Sequence, residues 1–183
     1  MILQEILAAN RDFVSKYKEF LPKLSSKPQK QVAIFTCMDT RLVEFLEPAL
    51  GIRRGDAKII KNAGNTVREG CTDVIRSLAA AVYLMGVKEI LVIGHLDCGM
   101  ARVDADELRA RMVEEGVPEE AISGLDLSEW IGAFADTEEN IRTTVNAIRN
   151  SPYIPRRVPV HGLLFCPENG EIRVVVDGYT PDR

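Results

Sequence analysis

No apolar run in this chain approaches the roughly 20 residues that a membrane-spanning helix needs, so a membrane protein is not expected. Positive charge is not in surplus either. Lys and Arg number 23 against 27 Asp and Glu, for a net charge of −4. That balance offers no basic field for nucleic acid or anionic lipid, and the densest basic cluster, "IRRGDAKIIK", reads as a solvated loop. Cysteine is scarce: four in 183 residues cannot frame a disulfide scaffold. The opening stretch "MILQEILAANRDFVSKYKEF" lacks a basic leader, a continuous apolar centre and a cleavage site. The expected setting is therefore the cytoplasm, with thiols reduced and available for metal or nucleophile chemistry.

The chain does have enough apolar residues for a full core. At 183 residues and 46% hydrophobic it suits one compact domain, residues 1–183. Ile2, Leu3, Ile6, Leu7, Phe13, Val14 and Tyr17 recur at helical spacing, so residues 1–20 read as an amphipathic helical arm docked on its own body or on a partner. "QVAIFTC" (31–37) and "KEILVIGH" (88–95) are β-rich and apolar nearly throughout, and "AKIIKNAG" (57–64) is a third apolar run. "LVEFLEPALG" reads as a helix stopped by Gly51, and residues 72–86 as a helix closed by Gly86. Strands apolar on both faces and separated by helices predict an α/β fold with a mainly parallel sheet flanked by helices.

Beyond residue 101 the composition turns charged and helical. "ADELRARMVEEG" is one helix, Pro118 interrupts, and "ADTEENIRTTVNAIRN" opens with the capping pair Asp136 and Glu139. "VPVHGLLFCPENGEIRVVVDGY" then reads as strand, Pro-Glu-Asn-Gly turn and strand, a C-terminal hairpin.

Polar chemistry gathers at two strand exits. In "IFTCMDTRLVEF", Cys37, Asp39 and Arg41 fall at every second residue, so an extended chain aims them the same way. In "GHLDCGM", His95 and Cys98 stand three apart as the chain leaves its strand, a spacing that lets both converge. Each pattern alone has an ordinary reading. Asp39 and Arg41 could be an ion pair at a helix start, and His95 a satisfied strand-end histidine. Together, at the carboxyl ends of two parallel strands where open α/β sheets place their sites, Cys37, His95 and Cys98 form a ligand set suited to zinc. Three protein ligands and a nearby carboxylate suggest a catalytic site rather than a closed structural one.

"CMDTR" followed by "GHLDCG" resembles the β-class carbonic anhydrases, whose pattern is C-x-D-x-R and then H-x-x-C. "KNAGN" and the run "TDVIRSLAAAVYLMGVKEILVIGH" continue the similarity, which is strong over residues 31–100 and looser in the terminal hairpin. The resemblance implies that Cys37, His95 and Cys98 bind one zinc per subunit and that Asp39 and Arg41 form the catalytic dyad. It implies hydration of carbon dioxide to bicarbonate by a metal-bound hydroxide, with zinc bringing the pKa of water to about 7. Asp39 would orient that hydroxide and Arg41 would keep Asp39 ionised. If the dyad broke, Asp39 could itself ligate zinc; this chain is expected to rest open near neutral pH. Ile34 stands where members regulated by bicarbonate tend to carry Trp, which argues against that control, and Thr40 replaces a common Ser with its hydroxyl retained. A homodimer or a tetramer of dimers is also implied, with the N-terminal helix reaching across the neighbour.

Three other functions compete. Carbonyl sulfide or carbon disulfide hydrolases share the ligands and dyad. A non-catalytic zinc module would use Asp39 as permanent fourth ligand. Cysteine nucleophile chemistry ranks last, because neither Cys37 nor Cys98 lies in a C-x-x-C pair or a C-x5-R loop. Asp97 reads as a turn or cap residue, His161 as a strand histidine, Cys71 as an exposed thiol near a helix start and Cys166 as a small hairpin residue.

Overall fold

In the computed structural model, residues 1–68, 70 and 72–180 are described. Helix α1 (Ile2–Tyr17) and a 3-10 turn at Lys18–Phe20 lead by a loop to β1 (Val32–Cys37), α2 (Leu46–Ala49) and β2 (Ala57–Asn62). Helix α3 (Asp73–Met85) and strand β3 (Glu89–His95) follow, then α4 (Ala105–Glu114), α5 (Glu119–Ile122), α6 (Leu127–Ile131) and α7 (Thr137–Asn150). Strands β4 (Val160–Phe165) and β5 (Ile172–Val176) close the fold as the expected hairpin.

The five strands lie in the order β2-β1-β3-β4-β5. All neighbours are parallel except β4 and β5. The chain moves from β1 to β2 on one side and returns to place β3 on the other, so the topological switch point falls between β1 and β3. Ligand sites of open α/β sheets lie at that crevice, and Cys37 and His95 are the last residues of the two strands that flank it.

The central strands earn their place by apolarity on both faces. All six residues of β1 are buried. Ala33 and Phe35 join the larger cluster with Leu78 of α3, Val92 of β3 and Ile141, Val145 and Ile148 of α7. Ile34 lies in a second cluster with Leu42, Leu46, Ile93 and Phe165, and Cys37 and Cys98 belong to it too. Helix α7 comes unusually close to the sheet. A Cβ on Gly94 would stand 2.8 Å from Ile141 Cδ1, and one on Gly162 2.6 Å from Ile141 Cγ2.

Most predicted elements are present, including Gly86 as the left-handed cap of α3 and Asp136 capping α7 by accepting from Glu139 N–H. The helix expected over "LVEFLEPALG" shrinks to Leu46–Ala49, preceded by a 3-10 turn at Thr40–Leu42. Pro48 is the reason: its ring clashes with a helical carbonyl four residues earlier. Pro48 therefore fits only the first turn, and Glu44 takes a left-handed φ of 55° instead.

No residue of α1 is buried, so the arm is not docked on its own body. Ile2, Leu3 and Phe20 remain 71%, 59% and 81% exposed. Among the described residues, no helix is long and apolar enough to cross a membrane.

Candidate active site

Parallel pairing sets the site's frame. Cys37 lies opposite Asn62, and the next rung continues through Met38 N–H to the Asn62 carbonyl at 2.9 Å. Thr36 Oγ1 donates to the Ile93 carbonyl at 2.8 Å, tying β1 to β3 one residue below the ligands. Cys37 and Cys98 then face each other with sulfurs 3.9 Å apart, and His95 joins them so that the three ligand atoms lie within 4.8 Å of one another. All three side chains are buried.

The histidine's tautomer follows from its neighbour. Nδ1 lies 2.8 Å from the Leu96 carbonyl, which can only accept, so Nδ1 carries the hydrogen. The lone pair is left on Nε2, which is buried and has no hydrogen-bond partner. A buried nitrogen in that state is costly unless something binds it.

The sulfurs are matched to each other. The Cys98 thiol stabilises the Cys37 thiolate, and the Gly64 N–H at 3.3 Å adds to that effect, so Cys37 is held below the usual thiol range against the opposing pull of burial. Cys98 is pushed up, by the Cys37 sulfur first and by burial second. In the absence of a cation, the contact between the two sulfurs favours one shared proton over two thiolates.

Asp39 begins the 3-10 turn at Thr40–Leu42 and accepts from Arg41 N–H at 2.9 Å. The Arg41 guanidinium grips the same carboxylate with Nε at 3.0 Å to Oδ1 and Nη2 at 2.9 Å to Oδ2. These hydrogen bonds hold Asp39 at about 2, although burial opposes them. Asp39 Oδ2 also lies 3.7 Å from His95 Nε2. A carboxylate kept ionised therefore stands at the edge of a cluster of two sulfurs and an imidazole, a donor set for a soft-to-borderline cation.

Some of the machinery was not visible in the motifs. Asp97, expected as a turn residue, does adopt a left-handed φ of 55°. It also accepts from Arg41 Nη1 at 3.2 Å, and its carbonyl accepts from Arg41 Nη2 at 2.8 Å. Arg102 donates to its other carboxylate oxygen. The loop that delivers Gly64 is held from α7, where Asn140 Nδ2 donates to the Gly64 carbonyl at 3.0 Å and Thr144 Oγ1 to the Asn65 carbonyl at 3.2 Å. Two buried polar residues one helical turn apart on the apolar face of α7 were the available signal.

The remaining candidates stay apart. His161 is a buried histidine on β4 whose Nδ1 accepts from Gly178 N–H at 3.0 Å. Cys166 is a half-buried free thiol, and Cys71 lies outside the described residues.

Comparison with known proteins agrees with this geometry. The family profile described as carbonic anhydrase matches residues 32–172. A carbonic anhydrase-like protein of Bacillus subtilis, YvdA, is 41% identical over 97% of this chain and 92% of its own. The crystal structure of β-carbonic anhydrase isoform I from Trichomonas vaginalis is 42% identical, covers 97% of this chain and 98% of its own, and superposes with a TM-score of 0.91. A carbon disulfide hydrolase from Saccharolobus solfataricus is 34% identical over 79% of this chain and 76% of its own. The chain belongs to the β-carbonic anhydrase family.

Proposed function

We propose that this chain hydrates carbon dioxide reversibly to bicarbonate, with one zinc ion per subunit held by Cys37, His95 and Cys98 and with Asp39 and Arg41 as the catalytic pair. The observation that carries this reading is the convergence of three buried ligand atoms within 4.8 Å, one of them an unpartnered imidazole nitrogen. Two sulfurs and an imidazole fit zinc's preferences, and the three leave room for a non-protein ligand. When bound, zinc supplies Lewis acidity that lowers the pKa of water to about 7 and so makes a nucleophile at neutral pH.

The chain's own residues do the rest. Arg41 keeps Asp39 ionised, so Asp39 acts only as a hydrogen-bond acceptor. By holding the nucleophile's proton at Oδ2, it aims a lone pair toward the substrate carbon. Ile34, Leu42, Ile93 and Phe165 pack with the ligands and keep the surroundings apolar, which suits an uncharged substrate. The proposal has Asp39 resting on Arg41 near neutral pH, leaving the fourth coordination position open. Its engagement by Arg41 through both oxygens supports this and weighs against a permanent fourth protein ligand.

The whole of residues 1–183 would act as one domain in the cytoplasm, where the free Cys37 and Cys98 stay reduced. Helix α1 would reach across a neighbour in a homodimer or a tetramer of dimers. Its lack of any buried residue in the protomer supports that placement.

A second reading keeps the site and changes the substrate to carbon disulfide or carbonyl sulfide. It draws on the 34% identity to a carbon disulfide hydrolase. Stopped-flow carbon dioxide hydration by metal-assayed protein, run beside hydrolysis of both sulfur substrates with Asp39→Ala as control, separates the two. Fast hydration lost in the variant supports the anhydrase. Stoichiometric zinc with slow hydration and rapid sulfide release transfers the chain to the hydrolases.

A further inference from the structure

Arg41 is 41% exposed along its side chain, so packing does not hold it in place. A long, rotamer-rich side chain in that position needs hydrogen bonds to define one orientation. Its guanidinium has five N–H groups. Nε and one Nη2 hydrogen serve Asp39, the other Nη2 hydrogen serves the Asp97 carbonyl, and Nη1 serves the Asp97 carboxylate. Asp97 thus holds the side of the fork that Asp39 leaves free.

The backbone is shaped for this. Asp97 lies between His95 and Cys98 with φ at 55°, a conformation that Gly, Asn and Asp tolerate best. A turn alone would accept any of the three. The carboxylate adds a charge-assisted acceptor for Arg41, and Arg102 occupies its second oxygen. The result is a chain of alternating charges: Arg102, Asp97, Arg41 and Asp39.

We propose that Asp97 is a positioning residue: it fixes Arg41 in the one orientation that presents Nε and Nη2 to Asp39, and Arg102 fixes Asp97 in turn. Without the Asp97 carboxylate, Arg41 Nη1 loses its acceptor and only the Asp97 carbonyl remains on that side of the fork, so the guanidinium is freed to rotate toward solvent. Asp39 then loses its bidentate partner and turns toward the ligand atoms, where its Oδ2 already lies 3.7 Å from His95 Nε2. The catalytic consequence rests on the function proposed above, whereas the effect on Arg41 does not.

The test begins with the metal-free protein and uses nitrogen-15 spectra of the arginine side chains, with the Arg41 signal identified by its loss in Arg41→Lys. Asp97→Gly removes the carboxylate while suiting the left-handed backbone, and Asp97→Asn keeps both the backbone preference and a neutral acceptor. The parent should show a resolved, slowly exchanging Arg41 Nε–H. Asp97→Gly should lose it to fast exchange with water, and Asp97→Asn should recover part of it. An Arg41 signal unchanged in Asp97→Gly overturns the proposal.

Kinetics of the zinc-loaded enzyme supply the second arm. Asp97→Gly should lower kcat about 10- to 100-fold with zinc content unchanged, while adding less than about 2-fold to the loss in Arg41→Ala. Independent, multiplying losses overturn the proposal, because Asp97 would then act without Arg41. A parent that hydrates no carbon dioxide counts against the functional reading alone, and the side-chain spectra then decide the role of Asp97.

Discussion

Asp39 Oδ2 stands 3.7 Å from His95 Nε2, while the Arg41 guanidinium grips both carboxylate oxygens and the Arg41 backbone N–H holds Oδ1. On the proposed function, the site would be open while Arg41 is engaged and blocked by Asp39 when it is not. Activity would then depend on that ion pair staying formed.

That dependence has a pH signature in the metal-free protein. Asp39 is lowered from 3.8 to about 2 by its Arg41 hydrogen bonds. A carboxyl group lowered on folding stabilises the native state above its unfolded pKa, and the benefit is lost as pH falls through the folded value. The stability difference between the parent and Asp39→Asn should be full above about pH 4 and should close toward pH 2. Because Arg41 is partly solvated, the difference should be about 1 kcal/mol or less. Denaturant melts between pH 2 and 7 measure it, and a gap that persists unchanged at pH 2 refutes the assignment.

Zinc loading should release protons. The Cys37 and Cys98 sulfurs bias each other in opposite directions, Cys37 lowered by its hydrogen bond with Cys98, and Cys98 pushed up by Cys37 and by burial, so the pair keeps a proton between them. A thiol must ionise to bind the metal. Titration calorimetry in buffers of different ionisation enthalpy should show at least about one proton released per zinc at pH 8. No release would mean that the two sulfurs do not bind the metal as a pair of thiolates.

How much of this was legible before folding follows from where each signal lies along the chain. The central strands declared themselves because burial on both faces makes β1 and β3 continuously apolar. Cys37, His95 and Cys98 stood out as polar residues at the exits of those runs. The partnership of Asp97 with Arg41 did not, since it spans 56 positions and needs a left-handed turn. The stretch around Pro48 misled in the opposite way: its apolar spacing is helical, but proline allows only a single turn there. Asn140 and Thr144 were hidden by a helix whose other residues read as ordinary surface and core.

Asn140 carries the next prediction. Asn140 Nδ2 holds the Gly64 carbonyl, and Gly64 N–H in turn reaches Cys37 Sγ at 3.3 Å. Asn140→Ala leaves a buried carbonyl without its donor, which should cost about 1–3 kcal/mol of stability. It should also weaken zinc affinity about 10- to 100-fold, the range for losing an outer hydrogen bond to a metal ligand. Competition with a chelator of known affinity reads the second effect. Lost stability with unchanged zinc affinity would show that the Gly64 loop does not tune the sulfur.

Helix α1 makes the last prediction. An isolated helix of 16 residues is marginal in water. Here none of its residues is buried against the protomer, while Ile2, Ile6, Phe13 and Tyr17 keep about half or more of their surface exposed. Such a stripe is a surface for association, and the proposed occupant is a neighbouring copy. Deleting residues 1–17 should leave the sheet's circular dichroism signature intact but lower the molar mass seen by sedimentation at micromolar protein. Replacing Ile6 and Phe13 with Lys in the full chain should do the same without shortening it, because two charges on the stripe oppose burial at any interface. If both variants sediment like the parent, α1 contributes nothing to assembly, and its apolar face must be covered in some other way.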